Sequence, residues 1–197
     1  IIPGLLERWY AERKVLQKNM RENQAKGNVE ETAYWDKRQL VKKINLNSLY
    51  GALLNPGSRF NDPRMGQSTT LTGRTIARHM GAKVNELFTG KYDHVGESII
   101  YGDTDSVYFS AYPVFKDQIE SGEFAWDKDK VTELYETVCE QANETFPDYM
   151  ATAHNVQNRE QGQIIAAARE VSATAGIYIT KKRYAILVYD NEGHRED

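Results

Sequence analysis

Residues 101–106 read Tyr-Gly-Asp-Thr-Asp-Ser, and this hexad constrains the chain more than any other stretch. Ile99 and Ile100 lead into it, and Val107, Tyr108 and Phe109 lead out. Two β-branched or aromatic runs around a Gly-Asp centre predict a β-hairpin with its turn at the acidic residues. Such a turn holds Asp103 and Asp105 close together. Neighbouring carboxylates repel unless a positive charge lies between them. A divalent cation supplies that charge, and oxygen-only ligands favour magnesium or manganese. An Asp-rich turn capped by its own side chains is the simpler account of the same residues, so the other motifs decide.

Composition sets the bounds. A chain of 197 residues suffices for one domain or one and a half. Hydrophobic residues at 40% and charged residues at 27% match a soluble globular protein and allow a sizeable core. The net charge of −3 gives no overall basicity to signal nucleic acid, but it does not exclude a locally basic groove. Cys139 is the one cysteine, so no intrachain disulfide can form, which fits an intracellular compartment. Its place in an apolar-periodic stretch reads as a small core residue. No segment approaches the ~18 consecutive apolar residues of a membrane span. Ile1-Ile2-Pro3-Gly4 shows neither an initiator Met nor a signal peptide, and the last residues stop just past a strand-like run. Both ends read as cut from a longer polypeptide.

The periodicity predicts an α+β fold. Leu5, Leu6, Trp9, Leu16 and Met20 mark a helix over 4–26, and Gly27-Asn28 marks its stop. A second helix runs from about Glu30 to Leu53 and ends at Asn55-Pro56-Gly57, making an antiparallel helical hairpin over residues 1–56. Residues 57–66 read as loop, and a third helix covers Ser68 to Leu87. Residues 113–122 are mixed. Asp127 to about Ala142 is an amphipathic helix. From Gly162 onward strands are expected at Ile164-Ile165, Val171, Ile177 to Ile179 and Tyr184 to Tyr189, followed by a turn at 190–193. Residues 57–197 thus form the second region.

The second helix carries Lys43, Asn47 and Tyr50 on nearly one stripe, four and three residues apart. That stripe offers an ammonium, an amide and a phenol. Lysine is a point charge suited to phosphate, the amide is a directional donor, and the ring is a flat surface for a sugar or base. Gly51 removes a side chain where a ligand must come close. Read singly, Lys43 is a solvated lysine and Tyr50 a partly buried tyrosine.

Taken together, Lys43-x-x-x-Asn47-Ser48-x-Tyr50-Gly51 and Tyr101-Gly102-Asp103-Thr104-Asp105-Ser106 resemble two signature regions of family B (α-like) DNA polymerases. Lys181-Lys182-Arg183-Tyr184 resembles a third, the short basic motif late in the palm. The order and spacing of all three agree with the family. Asn158-Arg159-Glu160 and Tyr184-Ala185-x-x-Val188-Tyr189-Asp190 are most similar to replicative polymerases of tailed bacteriophages.

The resemblance implies a fingers hairpin over 1–56 and an incomplete palm over 57–197 with an antiparallel sheet. It implies two-metal nucleotidyl transfer during DNA replication. Two magnesium ions, with manganese as the alternative, would be held by Asp105 directly and by Asp103 as a second carboxylate. Lys43 and Asn47 would contact the triphosphate of a deoxynucleoside triphosphate, with Lys43 as a proton donor to pyrophosphate. Tyr50 would lie on the minor-groove side of the nascent pair. Lys182 would meet the primer terminus of a primer–template, with Lys181 and Arg183 nearer the backbone. Ala168 stands where the family often has an acidic residue; Glu170, two residues on, would either serve the metal site in its place or be a surface strand carboxylate paired with Arg169. A sliding clamp is an expected partner through regions outside the chain, the setting is the host cytoplasm, and no membrane is involved.

The family's other metal-binding motif, an Asp before a Ser-Leu-Tyr-Pro-Ser-like run, is absent, so these residues alone are expected to be inactive. Two rivals use the same residues. A metal-dependent glycosyltransferase also employs an Asp-x-Asp turn, but it leaves the Lys43–Gly51 helix unexplained. A nucleic-acid-binding module without chemistry would make no use of Asp105.

Overall fold

The computed structural model describes residues 2–123, 125–191 and 193–195. The side chains of Arg159 and His194 lie outside the described set, as does Glu192 of the expected 190–193 turn. The fold is α+β, and the chain divides into two compact units, residues 1–71 and 72–197.

In the first unit, α1 (Ile2–Ala25) and α2 (Val29–Leu54) form the expected antiparallel hairpin. Gly27 takes φ 70°, and the N–H groups of Gly27 and Asn28 return to the carbonyls of Gln24 and Asn23 at 3.0 Å each. This is the glycine-terminated stop that orphan carbonyls favour. The Asn28 side chain then caps α2 by accepting from Glu31 N–H, with Glu30 and Glu31 suiting the helix N-terminus. Lys42 pairs with Glu12, and Arg13 Nε donates to Gln39 at 3.2 Å, which fixes the helix register. Residues 63–66, expected as loop, instead begin α3 (Pro63–Thr89). Asp62 accepts from Arg64 N–H at 3.1 Å, and Pro63 has the fixed φ and missing donor that a first helical turn tolerates.

In the second unit, α3 meets α5 (Lys128–His154) where His79 lies against Phe146 and Tyr149 and Tyr149 Oη donates to the Thr75 carbonyl at 3.2 Å. Ala82 and Val84 of α3 and Val131, Val138, Ala142 and Phe146 of α5 are buried. The helix expected to end near Ala142 runs to His154. Phe146, Pro147 and Met150 extend its buried face, and that burial outweighs the helix-breaking tendency of Pro147. Most of residues 113–122, read as mixed, belongs to α4 (Tyr112–Glu120), with Pro113 in its first turn. The expected strand at Ile164-Ile165 is absent. Ahead of it lies the short α6 (Arg159–Gly162), and the following backbone at Ala167 exchanges bonds of 2.6 and 2.8 Å with the Asn143 side chain. An α5 amide thereby stands in for a partner strand.

Two antiparallel sheets complete this unit. β1 (Ile99–Asp103) pairs with β2 (Ser106–Phe109), as the acidic hexad predicts. β3 (Val171–Thr180), β4 (Arg183–Asn191) and the short β5 (His194–Arg195) form the second sheet in that order. The separate apolar patches at Val171 and Ile177–Ile179 are thus one continuous strand.

Candidate active site

Asp103 pairs with Ser106 across the β1–β2 ladder, leaving Thr104 and Asp105 as the turn. Thr104 has φ 47°, a left-handed conformation that is costly for a β-branched residue. Two hydroxyls brace the turn: Thr104 Oγ1 donates to Asp103 Oδ1 at 3.1 Å, and Ser106 Oγ donates to the Asp103 carbonyl at 3.0 Å. Asp105 is different. Among the described residues its exposed carboxylate has no hydrogen-bond or ion-pair partner, and it lines a cavity of about 560 Å³. The hairpin supplies one wall of that cavity. Cys139 of α5 and Ala168, Glu170 and β3 supply others.

The basic motif forms the second turn. Thr180 pairs with Arg183, so Lys181 and Lys182 make the β3–β4 tip, and Lys182 has φ 62°. All three cations are exposed. The two turns are joined through four tyrosines that sequence reasoning missed. Tyr101 and Tyr108 are cross-strand partners beside the acidic turn, and Tyr178 and Tyr184 are partners beside the basic one. The Tyr101 ring lies 5.6–5.8 Å from the other three, and its phenolic oxygen accepts from Lys182 N–H at 2.8 Å. Tyr108 and Tyr184 share a 2.7 Å O–O hydrogen bond. That bond, followed by burial, pushes the Tyr108 phenol well above its ordinary value, so it keeps its proton. The signal was visible as a tyrosine on each side of both turns.

Arg169 lines the same cavity as Asp105 but is fully engaged. It donates to Asp190 at 2.5 Å and to Glu136 at 2.9 Å. Burial alone would raise the Asp190 carboxyl. The bonds from Arg169 and from Gly193 N–H outweigh it and hold the group below the usual carboxylate range. Arg169 therefore anchors the segment that carries Glu170. It offers no free charge to a ligand.

The helical stripe belongs to the first unit. Lys43 and Asn47 are exposed on α2, and Tyr50 is half-buried. Among the described residues none of the three has a hydrogen-bond or ion-pair partner, whereas neighbouring Lys42 is committed to Glu12. A Cβ on Gly51 would meet no protein atom within 4 Å.

The donor chemistry of the acidic turn suits a hard cation. Asp103, Asp105 and Glu170 offer only oxygen, and magnesium commonly takes one or two carboxylates plus water and substrate phosphates. No group of three or more His, Cys, Asp or Glu residues able to hold a metal ion occurs among the described residues. The oxygen donors of the turn therefore do not by themselves make a complete metal site among the described residues. No helix among the described residues is long and apolar enough to cross a membrane.

The sequence model of DNA polymerase family B matches residues 1–150. The DNA-directed DNA polymerase of Escherichia phage RB69 is 31% identical over 165 residues, covering 80% of this chain and 18% of that protein. That of Enterobacteria phage T4 is 32% identical over 170 residues, with the same two shares, 80% and 18%. The DNA polymerase delta catalytic subunit of Oryza sativa subsp. japonica is 38% identical over 109 residues, covering 54% of this chain and 10% of that protein. The chain therefore spans less than a fifth of the length of these relatives. No solved structure matches it.

Proposed function

The chain belongs to DNA polymerase family B, and from that premise we propose that it is the part of a DNA-directed DNA polymerase carrying the fingers hairpin (1–56) and most of the palm (57–197). The complete protein extends a primer on a DNA template from deoxynucleoside triphosphates, during replication of a bacteriophage genome in its host. One observation supports this reading above the others. The unpartnered Asp105 carboxylate and the Lys181-Lys182-Arg183 tip belong to hairpins that are bonded to each other within one unit.

In this reading Asp105 is the direct cation ligand, Asp103 the second carboxylate, and Glu170 a further oxygen donor on the same cavity. Magnesium ions held there, or manganese in their place, would stabilise the attacking and departing oxygens of nucleotidyl transfer. Lys43 and Asn47 bind the triphosphate, and Lys43 gives a proton to the departing pyrophosphate. Tyr50 rests against the minor-groove edge of the new pair, where the acceptors are nearly alike for every correct match. Lys182 contacts the primer terminus, and Lys181 and Arg183 neutralise backbone phosphates. A sliding clamp would bind through other parts of the protein. In this reading one further metal-binding Asp, that of the family's other metal motif, lies outside these 197 residues, so alone they do not polymerise.

The test supplies the complete protein with primer–template, the four deoxynucleoside triphosphates and magnesium, and in parallel with nucleotide sugars. Template-directed extension is the expected result. Sugar transfer without extension would replace this reading with a glycosyltransferase. DNA binding with neither activity would replace it with a binding module.

A further inference from the structure

We propose that Tyr101 is a positioning residue for the primer-contacting tip: its hydroxyl, fixed to the strand that carries Asp103, holds the Lys182 backbone in the conformation that presents the basic turn. The inference rests on the reading of Lys182 as a primer contact.

Four observations carry it. Lys182 adopts φ 62°, a region that glycine and asparagine enter far more readily than lysine. A lysine there persists only where its surroundings over-determine the backbone. The surroundings here include one specific bond, from Lys182 N–H to Tyr101 Oη at 2.8 Å, across 81 residues of sequence. The acceptor is itself immobilised, because the Tyr101 ring lies among Tyr108, Tyr178 and Tyr184. Tyr101 and Asp103 also alternate onto the same face of β1, two residues apart. The phenol therefore spans from the acidic strand to the basic tip. A shift of either turn must stretch this bond. The two ends of the reaction, the cation and the primer terminus, are thereby held in register by one side chain that touches neither.

The experiment is a cycle in the complete polymerase: Tyr101→Phe, Lys182→Ala and the double variant, each assayed for KM of primer–template and for kcat at saturating nucleotide. Tyr101→Phe keeps the ring and loses only the acceptor. A single hydrogen bond to an exposed amide corresponds to roughly a 3- to 10-fold effect. The expected result is a rise of about that size in KM for primer–template, with kcat within about twofold, and no further rise when Tyr101→Phe is added to Lys182→Ala. An unchanged KM in Tyr101→Phe overturns the inference while leaving Lys182 as a primer contact. So does an equal rise in the Lys182→Ala background, which would mean that Tyr101 acts by another route. A fall in Tm with no change in KM marks a merely structural bond and also overturns it. If Lys182→Ala itself leaves KM unchanged, the primer-contact reading fails and the inference falls with it.

Discussion

Asn85 Oδ1 accepts two hydrogen bonds from Ser98, from its backbone N–H at 3.1 Å and from its hydroxyl at 2.9 Å. Asn85 is 1% exposed and Ser98 fully buried. The same amide donates to Thr89 Oγ1 and to the Lys91 carbonyl, so all of its capacity is used. Ser98 immediately precedes β1, and its carbonyl also accepts from Ser110 N–H just past β2. A single buried side chain on α3 thus fixes both ends of the hairpin that bears Asp103 and Asp105.

Asn85→Ala should therefore destabilise the protein by about 3 kcal/mol, because it strands several buried polar groups at once. Denaturant unfolding of the variant and the wild type measures this. A loss below about 1 kcal/mol would contradict the account of Asn85 as the clasp of the hairpin.

A second buried polar group makes stability depend on pH. The Thr145 hydroxyl donates to the Ala142 carbonyl at 2.7 Å, so it accepts from His79 Nε2–H, which leaves Nδ1 to accept from the Tyr92 hydroxyl. His79 is thus bonded as the neutral ring, stacked 3.8 Å from Tyr149. Burial first, and the Lys83 charge second, push its pKa below the ordinary 6.5, against a smaller opposing effect of Glu86. A group whose folded pKa is lowered in this way binds its proton more readily when unfolded. The stability it contributes is complete above about pH 6.5 and declines as pH falls below that value. Tm measured from pH 8 to 5 should fall faster in the wild type than in His79→Gln. Parallel profiles would refute the neutral-ring assignment.

Lys43 predicts a kinetic effect. A lost charge-assisted bond to phosphate amounts to about 1.5–3 kcal/mol, so Lys43→Ala in the complete polymerase should lower kcat/KM for nucleotide by roughly 10- to 100-fold. Single-nucleotide incorporation at low nucleotide concentration reads this out. An unchanged rate there would remove Lys43 from the nucleotide site.

How much of this was legible in the sequence follows from what each signal depends on. The helical hairpin and the acidic turn rest on local chemistry: apolar spacing, Gly27, and a Gly-Asp turn between β-forming runs. Those elements stand where the residues put them. Pro63 was read as loop and Pro147 falls beyond the expected end of its helix, because a proline's meaning depends on context. One opens α3 with Asp62 before it, and the other is buried within α5. Ile164-Ile165 looked like a strand because no local rule reveals that Asn143 would satisfy the backbone nearby. The tyrosine cluster and the Asn85 clasp join residues far apart in sequence, so they became visible only when the chain folded.

The most direct measurement is Asp105→Ala in the complete protein, assayed in parallel for primer extension and for primer–template affinity. Loss of synthesis by several orders of magnitude with affinity retained is the predicted result. Synthesis that survives the loss of this carboxylate would contradict the account.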